Sequence, residues 1–132
     1  MTVIDAALET VLLTVPARAD YLRIVRLVMA GVGNALSFNV EEIDDLKTAV
    51  GEAYNLFHPS DEQPLTMCTA IEPRRVVIDF TQQATHGPST FFPMDPALEK
   101  GIGLLLMKHL MDEVEYETDD DRTHIRIIKR RR

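Results

Sequence analysis

Glu52 and Asn55 form a pair whose types and spacing can do chemistry. On a helix turning about 100° per residue, Asn55 falls about 60° from Glu52, so the two share a surface. A carboxylate beside a carboxamide can accept a proton and help hold Mg2+ near a phosphate. A solvated helix face carries the same pair. Gly101-Ile102-Gly103 is a second candidate, because it stands directly before a predicted helix. The first amides of a helix are unpaired, phosphate suits that position, and glycine lets it approach the backbone. A tight turn into a helix has the same sequence. His86-Gly87-Pro88 follows a predicted strand and reads as a turn, ligand-binding or plain. His58, at a predicted helix C-terminus, can interact with the dipole there, His109 and His124 lack ligand-spaced partners, and four scattered histidines with one cysteine, Cys68, form no zinc pattern. There is no GxSxG elbow and no Walker-type phosphate loop.

These residues must be carried by elements, and the hydrophobic pattern supplies them. Leu8 to Val15 is short, rich in β-branched residues and closed by Pro16, which predicts a first strand. From Arg18 the period changes: Tyr21, Ile24, Val25, Val28, Met29, Val32 and Leu36 recur every three or four residues, as on an amphipathic helix. Gly31 and Gly33 weaken its end, through fraying or a close packing contact. A second helix begins at Asn39, whose side chain can cap the free amides while Glu42 completes a capping box. Ile43, Leu46, Val50, Ala53, Tyr54 and Phe57 make its apolar stripe, and Pro59 stops it just past His58. Leu65–Ile71 and Arg75–Gln83 read as a hairpin turning at Glu72-Pro73-Arg74. Ala84 to Pro96 holds three prolines and a glycine, a loop long enough to suggest function. Gly101 to Gly103 then opens a third helix, Leu104 to about Met111. Glu113–Thr118 and Arg122–Arg130 close the order as a second hairpin. Two adjacent helices among antiparallel strands predict an α/β two-layer sandwich, with helices on one face of a mixed, mostly antiparallel sheet.

Composition bounds the function. At 132 residues and 14.9 kDa, with 45% hydrophobic and 27% charged residues, the chain fits one globular domain spanning 1–132, its ordered core at about 8–128. No apolar run approaches the roughly 18 residues needed to span a membrane. No basic region precedes the N-terminal apolar stretch, so no secretory signal is expected, and a lone cysteine suits the cytoplasm. Residues 1–121 carry a net charge of −13 and the last eleven +6. An acidic body disfavours a nucleic-acid platform, which needs a basic face. Lys129-Arg130-Arg131-Arg132 reads as a solubilising or frayed tail, with nucleic-acid contact as its alternative.

Three stretches together carry a more specific likeness: VPARADYLRIVRLVMAGVGNAL with FNVEEIDDLKTAVGEA, the loop ending FFPMDP, and KGIGLLLMKHLMDEVEYE. From about Leu8 to Ile128 the chain resembles the bacterial anti-sigma-factor serine/threonine kinases of partner switching. Their ATPase fold is the histidine-kinase-like, Bergerat-type one. The resemblance implies Glu52 as catalytic base and a nucleotide held by Asn55, Thr85, Gly87, Lys100, Gly101 and Gly103, with Asn55 on Mg2+. It also implies a homodimer and, as partners, a sigma factor or a STAS-type anti-anti-sigma protein.

Departures from the family pattern bear on ATP. The family places its Mg2+-binding Asn four residues after the Glu; here that position is Leu56, and Asn55 comes one residue early. A bulge in the helix would absorb the shift. Thr85 stands where an Asp reads the adenine amine, and only Gly87 matches the first glycine box. Losing such a charged hydrogen bond costs about 1.5–3 kcal/mol, about tenfold to a hundredfold in affinity. The expectation is an anti-sigma-type regulator with weakened or lost ATP binding. The alternatives are an active ATP-dependent serine kinase and a nucleotide sensor. Phe91 or Phe92 is expected to fill part of the pocket.

Overall fold

The computed structural model describes residues 9–57, 59–83, 99–118 and 121–131. The elements run β1 (Glu9–Ala17), a 3-10 turn (Ala19–Tyr21), α1 (Leu22–Ala35), α2 (Val40–Asn55), β2 (Ser60–Ile71), β3 (Arg75–Gln83), α3 (Glu99–Leu110), β4 (Glu113–Thr118) and β5 (Arg122–Arg130). The five strands form one sheet in the order β1-β2-β3-β5-β4, and all four pairings are antiparallel. Alternate strand residues, among them Val15, Leu65, Met67, Ile78, Phe80, Ile125 and Ile127, meet Val25, Met29, Leu46, Val50, Leu104 and Met107 from the helices in one core. All three helices therefore cover the same face, as the two-layer reading predicts.

Several boundaries differ from the sequence reading for local reasons. Pro16 does not end β1; the strand continues to Ala17 with a register shift between Val15 and Ala17. A proline is tolerated there because β1 is the edge strand of the sheet among the described residues. β2 begins at Ser60, five residues before Leu65, where the Ser60 hydroxyl accepts from the backbone amides of Glu62 (3.1 Å) and Gln63 (2.9 Å). The helix expected from Arg18 is preceded by the 3-10 turn and starts at Leu22. α2 stops at Asn55, short of Pro59, because Leu56 and Phe57 turn into the core at 1% and 5% exposure. Lys129 and Arg130 belong to β5, and the Arg131 amide donates to the Arg74 carbonyl at 2.8 Å, so through Arg131 the basic end is paired and not frayed.

The capping box forms as predicted: Asn39 Oδ1 accepts from the Glu42 amide at 2.8 Å, and Glu42 Oε1 accepts from the Asn39 amide at 2.9 Å. Of the two α1 glycines, Gly33 is the packing contact. A β-carbon there would lie 2.8 Å from Ile43 Cγ1, whereas one at Gly31 would meet nothing within 4 Å. Gly33 thus sets how closely α1 lies on α2. Gly33→Ala should destabilise the protein by about 1–3 kcal/mol through overpacking. Gly31→Ala should gain up to about 1 kcal/mol of helix propensity. Urea denaturation of the two variants tests this; equal shifts of the same sign would refute the packing role.

Candidate functional site

The last turn of α2 and the body of α3 meet above the β1–α1 junction, and between them lies a cleft of about 340 Å3. Glu52, Asn55 and Gly103 all line it. Leu56, Phe57, Pro59 and Leu65 add apolar surface, and Ala17, Arg18 and Ala19 form the wall from the β1–α1 junction. The volume is within the usual range for small-molecule sites, which are mostly apolar with a few placed polar groups.

Glu52 is half-buried because its side chain lies against α3. A β-carbon on Gly103 would overlap Glu52 Oε1 and lie 3.4 Å from its Cδ. Only a residue without a side chain lets the α3 backbone come this near the carboxylate. Gly101 and Gly103 do not precede the helix; both lie inside α3, which is observed from Glu99. By helical geometry the Gly101 amide belongs to the first turn, whose N–H groups lack intrahelical acceptors, while the Gly103 amide can reach the Glu99 carbonyl. Gly103 therefore serves the site through close approach. Lys100 lies in the same first turn of backbone. Thr85, Gly87, His86, Phe91 and Phe92 are outside the described residues, as is the expected filling of the pocket by a phenylalanine.

Asn55 is exposed at the last helical position, and Leu56, the C-cap residue, is 1% exposed. α2 is regular α-helix up to Asn55, so no π-bulge rotates Asn55 into the place of Leu56. Leu56 stands four residues after Glu52, about 40° away around the axis, and presents its apolar side chain to the same cleft.

Two wall residues escaped the sequence reading. Tyr54 reads as part of the apolar stripe, and it is 5% exposed, yet its hydroxyl lies 2.6 Å from the Arg18 carbonyl and 3.0 Å from the Pro16 carbonyl. Burial pushes this phenol's pKa up, which keeps it protonated as a donor. Arg18 stacks on the Tyr21 ring, 5.1 Å from its centroid, and its Nε and Nη2 donate to Asp20 at 3.2 and 3.0 Å. The bond from Arg18 holds the Asp20 carboxyl below its usual pKa range. No local spacing marks either role, because both depend on where α2 meets the β1–α1 junction.

A second polar cluster lies on the sheet face opposite the three helices. His124 Nε2 is 2.8 Å from Asp79 Oδ1, and Arg126 donates to the same carboxylate from Nε at 2.7 Å and Nη2 at 3.2 Å. His124 thus has a partner 45 residues away that no sequence spacing reveals. This cluster is on the opposite face from the cleft.

The sequence profile of the histidine kinase-like ATPase domain matches residues 15–129. The chain belongs to this family. Among similar proteins is the serine-protein kinase RsbW of Bacillus pumilus, 32% identical over 133 residues, 87% of this chain and 82% of the relative. The RsbW proteins of Halalkalibacterium halodurans and Bacillus cereus are 31% and 30% identical, covering 84% and 87% of this chain and 77% and 81% of the relatives. For a histidine kinase-like ATPase domain, the implied ligand is ATP with a divalent cation. The cleft fits it in kind. Gly103 leaves backbone open to close approach, and Glu52 and Asn55 offer the oxygen donors that Mg2+ prefers. The misfit is Leu56, which offers no donor at the position of the family's Asn.

The site yields two predictions. Tyr54→Phe removes the tie to the β1–α1 wall and should cost about 1–2 kcal/mol, read from the denaturation midpoint. An unchanged midpoint would remove the hydroxyl from the account. Gly103→Ala should leave thermal stability nearly unchanged, within about 1 kcal/mol, because helix propensity rises while the flexible end of Glu52 yields. The same substitution should narrow the cleft and weaken any nucleotide bound there, as calorimetry would show.

Proposed function

We propose that this protein is an anti-sigma-type regulator of bacterial partner switching whose nucleotide binding is weakened relative to its kinase relatives. Its partner would be a sigma factor or a STAS-type antagonist. The observation that carries the weakened binding is Leu56, an apolar side chain on the cleft where the family pattern has the metal-binding Asn. Phosphoryl transfer rests on metal-assisted positioning and charge stabilisation, so losing a metal donor bears on affinity and rate together. The partner reading is supported by likeness to serine-protein kinases named RsbW. An acidic chain, at −7 overall, also suits association with a basic protein surface. We further propose a cytoplasmic homodimer acting without membrane or nucleic-acid contact. No helix among the described residues is long and apolar enough to cross a membrane.

A second reading, an active serine/threonine kinase, is favoured by the convergence of Glu52, Asn55 and Gly103 on one cleft. ATP, when bound, would supply the phosphoryl group. Glu52 would accept the proton of an incoming seryl hydroxyl, Asn55 would hold Mg2+ through its carboxamide oxygen, and the α3 backbone at Gly101 and Gly103 would face the phosphates.

Isothermal titration calorimetry with ATP and Mg2+, repeated with ADP, separates the two. The regulator reading expects affinity of about millimolar, about −4 kcal/mol, or none. It also expects Leu56→Asn, if still folded by thermal denaturation, to gain Mg2+-dependent affinity. Micromolar ATP binding by the natural chain, lost in Gly103→Val, with phosphate transferred to a STAS-domain serine, would establish the kinase instead.

A further inference from the structure

We propose a second ligand site, separate from the cleft: a groove between α1 and α2 that binds a small anion of linked phosphates through Arg23, Arg26 and Lys47. The groove has a volume of about 380 Å3, within the usual range for small-molecule sites, and Ala19, Leu22 and Leu27 complete its lining. It shares only Ala19 with the cleft, and it does not depend on whether the cleft takes a nucleotide.

Two helices supply the charge. Arg23 and Arg26, three residues apart near the start of α1, lie on one face of that helix, and Lys47 lines the groove from α2. Residues 1–121 hold eight Lys and Arg against 21 Asp and Glu, so carboxylate partners are abundant. Yet none of these three cations makes an ion pair among the described residues. Asp20, three residues before Arg23, is engaged by Arg18, and Asp44, three before Lys47, makes no ion pair. Three like charges around one groove repel each other, and an anion between them replaces that repulsion with attraction. The first turn of α1 contains no acid, so the positive end of the helix dipole adds to the same field.

Phosphate suits the groove better than the carboxylates of a protein partner. Arginine presents a planar fork that takes phosphate oxygens two at a time, and linked phosphates concentrate several charges within a small-molecule volume. An acidic peptide spreads the same charge along its backbone. Leu22 and Leu27 bring apolar surface beside the cations, which strengthens charged hydrogen bonds made there. A long nucleic acid is disfavoured by the chain's overall charge of −7.

The test is a titration of the full chain with inorganic tripolyphosphate, in EDTA and low salt, followed by amide chemical shifts, with hexaglutamate as the acidic-peptide probe. Tripolyphosphate should shift the Arg23, Arg26 and Lys47 amides at concentrations about tenfold below those hexaglutamate requires, and added salt should weaken it. Arg23→Gln combined with Arg26→Gln should lower its affinity at least about tenfold, the effect of lost charged hydrogen bonds. The denaturation midpoint of that variant should stay unchanged, since both arginines are exposed and Gln matches Arg in helix propensity. Shifts confined to the Glu52, Asn55 and Gly103 amides, or no shifts at all, would overturn the second site, the former while leaving the cleft as a phosphate site. Equal binding of hexaglutamate would overturn the phosphate assignment in favour of an acidic protein partner. Affinity within about twofold of the natural chain in the double variant would overturn the role of the two arginines.

Discussion

Leu46, Ala49, Val50 and Ala53 have no accessible surface, and this stripe holds α2 between the sheet, α1 and α3. The other features of the cleft follow from that burial. With the stripe inside, Glu52 must emerge toward α3, Asn55 toward solvent, and Leu56 back onto the cleft floor. Large side chains at the helix contacts would push α1 and α3 away, and glycine removes that obstacle at 33, against Ile43, and at 103, against Glu52. The Tyr54 hydroxyl then ties the end of the stripe to the β1–α1 junction, so the third wall moves with α2.

The cleft's electrostatics are set by a small number of groups. A carboxylate close to the α3 backbone and an exposed carboxamide stand beside a mostly apolar surface. In the family pattern a metal would balance the phosphate charge. In the proposed reading that balance is weakened here, because an alkyl group, Leu56, stands where the pattern has a metal donor. A fold can keep its core and its helix crossings under such a change, since Leu56 packs at least as well as an amide would.

The sheet face opposite the helices shows how strand register builds what no local motif displays. Leu12, Cys68, Asp79, Arg126 and Glu115 lie in one row across all five strands. Asp79 is shared between Arg126 beside it and His124, so one carboxylate anchors two neighbouring rows. Its hydrogen bond raises the Arg126 pKa, while burial, with Asp79 nearby, pushes the Cys68 thiol up.

Much was legible in residue order. The capping box at Asn39 and Glu42, both hairpins and the α2 stripe follow from local spacing, because backbone geometry repeats every two or 3.6 residues. Glu52 beside Asn55 is visible for the same reason. The exact ends of β1, β2 and α2 were not, since Pro16, Ser60 and Leu56 take their conformations from strand pairing and core burial. Nor could spacing tell that Gly33 packs while Gly31 does not, that Gly103 lies against Glu52, or that Tyr54 and Arg18 complete the cleft wall. Those contacts join residues 10 to 51 positions apart, and chain periodicity carries no information at that range. The sequence alone determined the family, the order of elements and the chemistry of individual side chains. Which of those side chains meet was decided only when the core closed around α2.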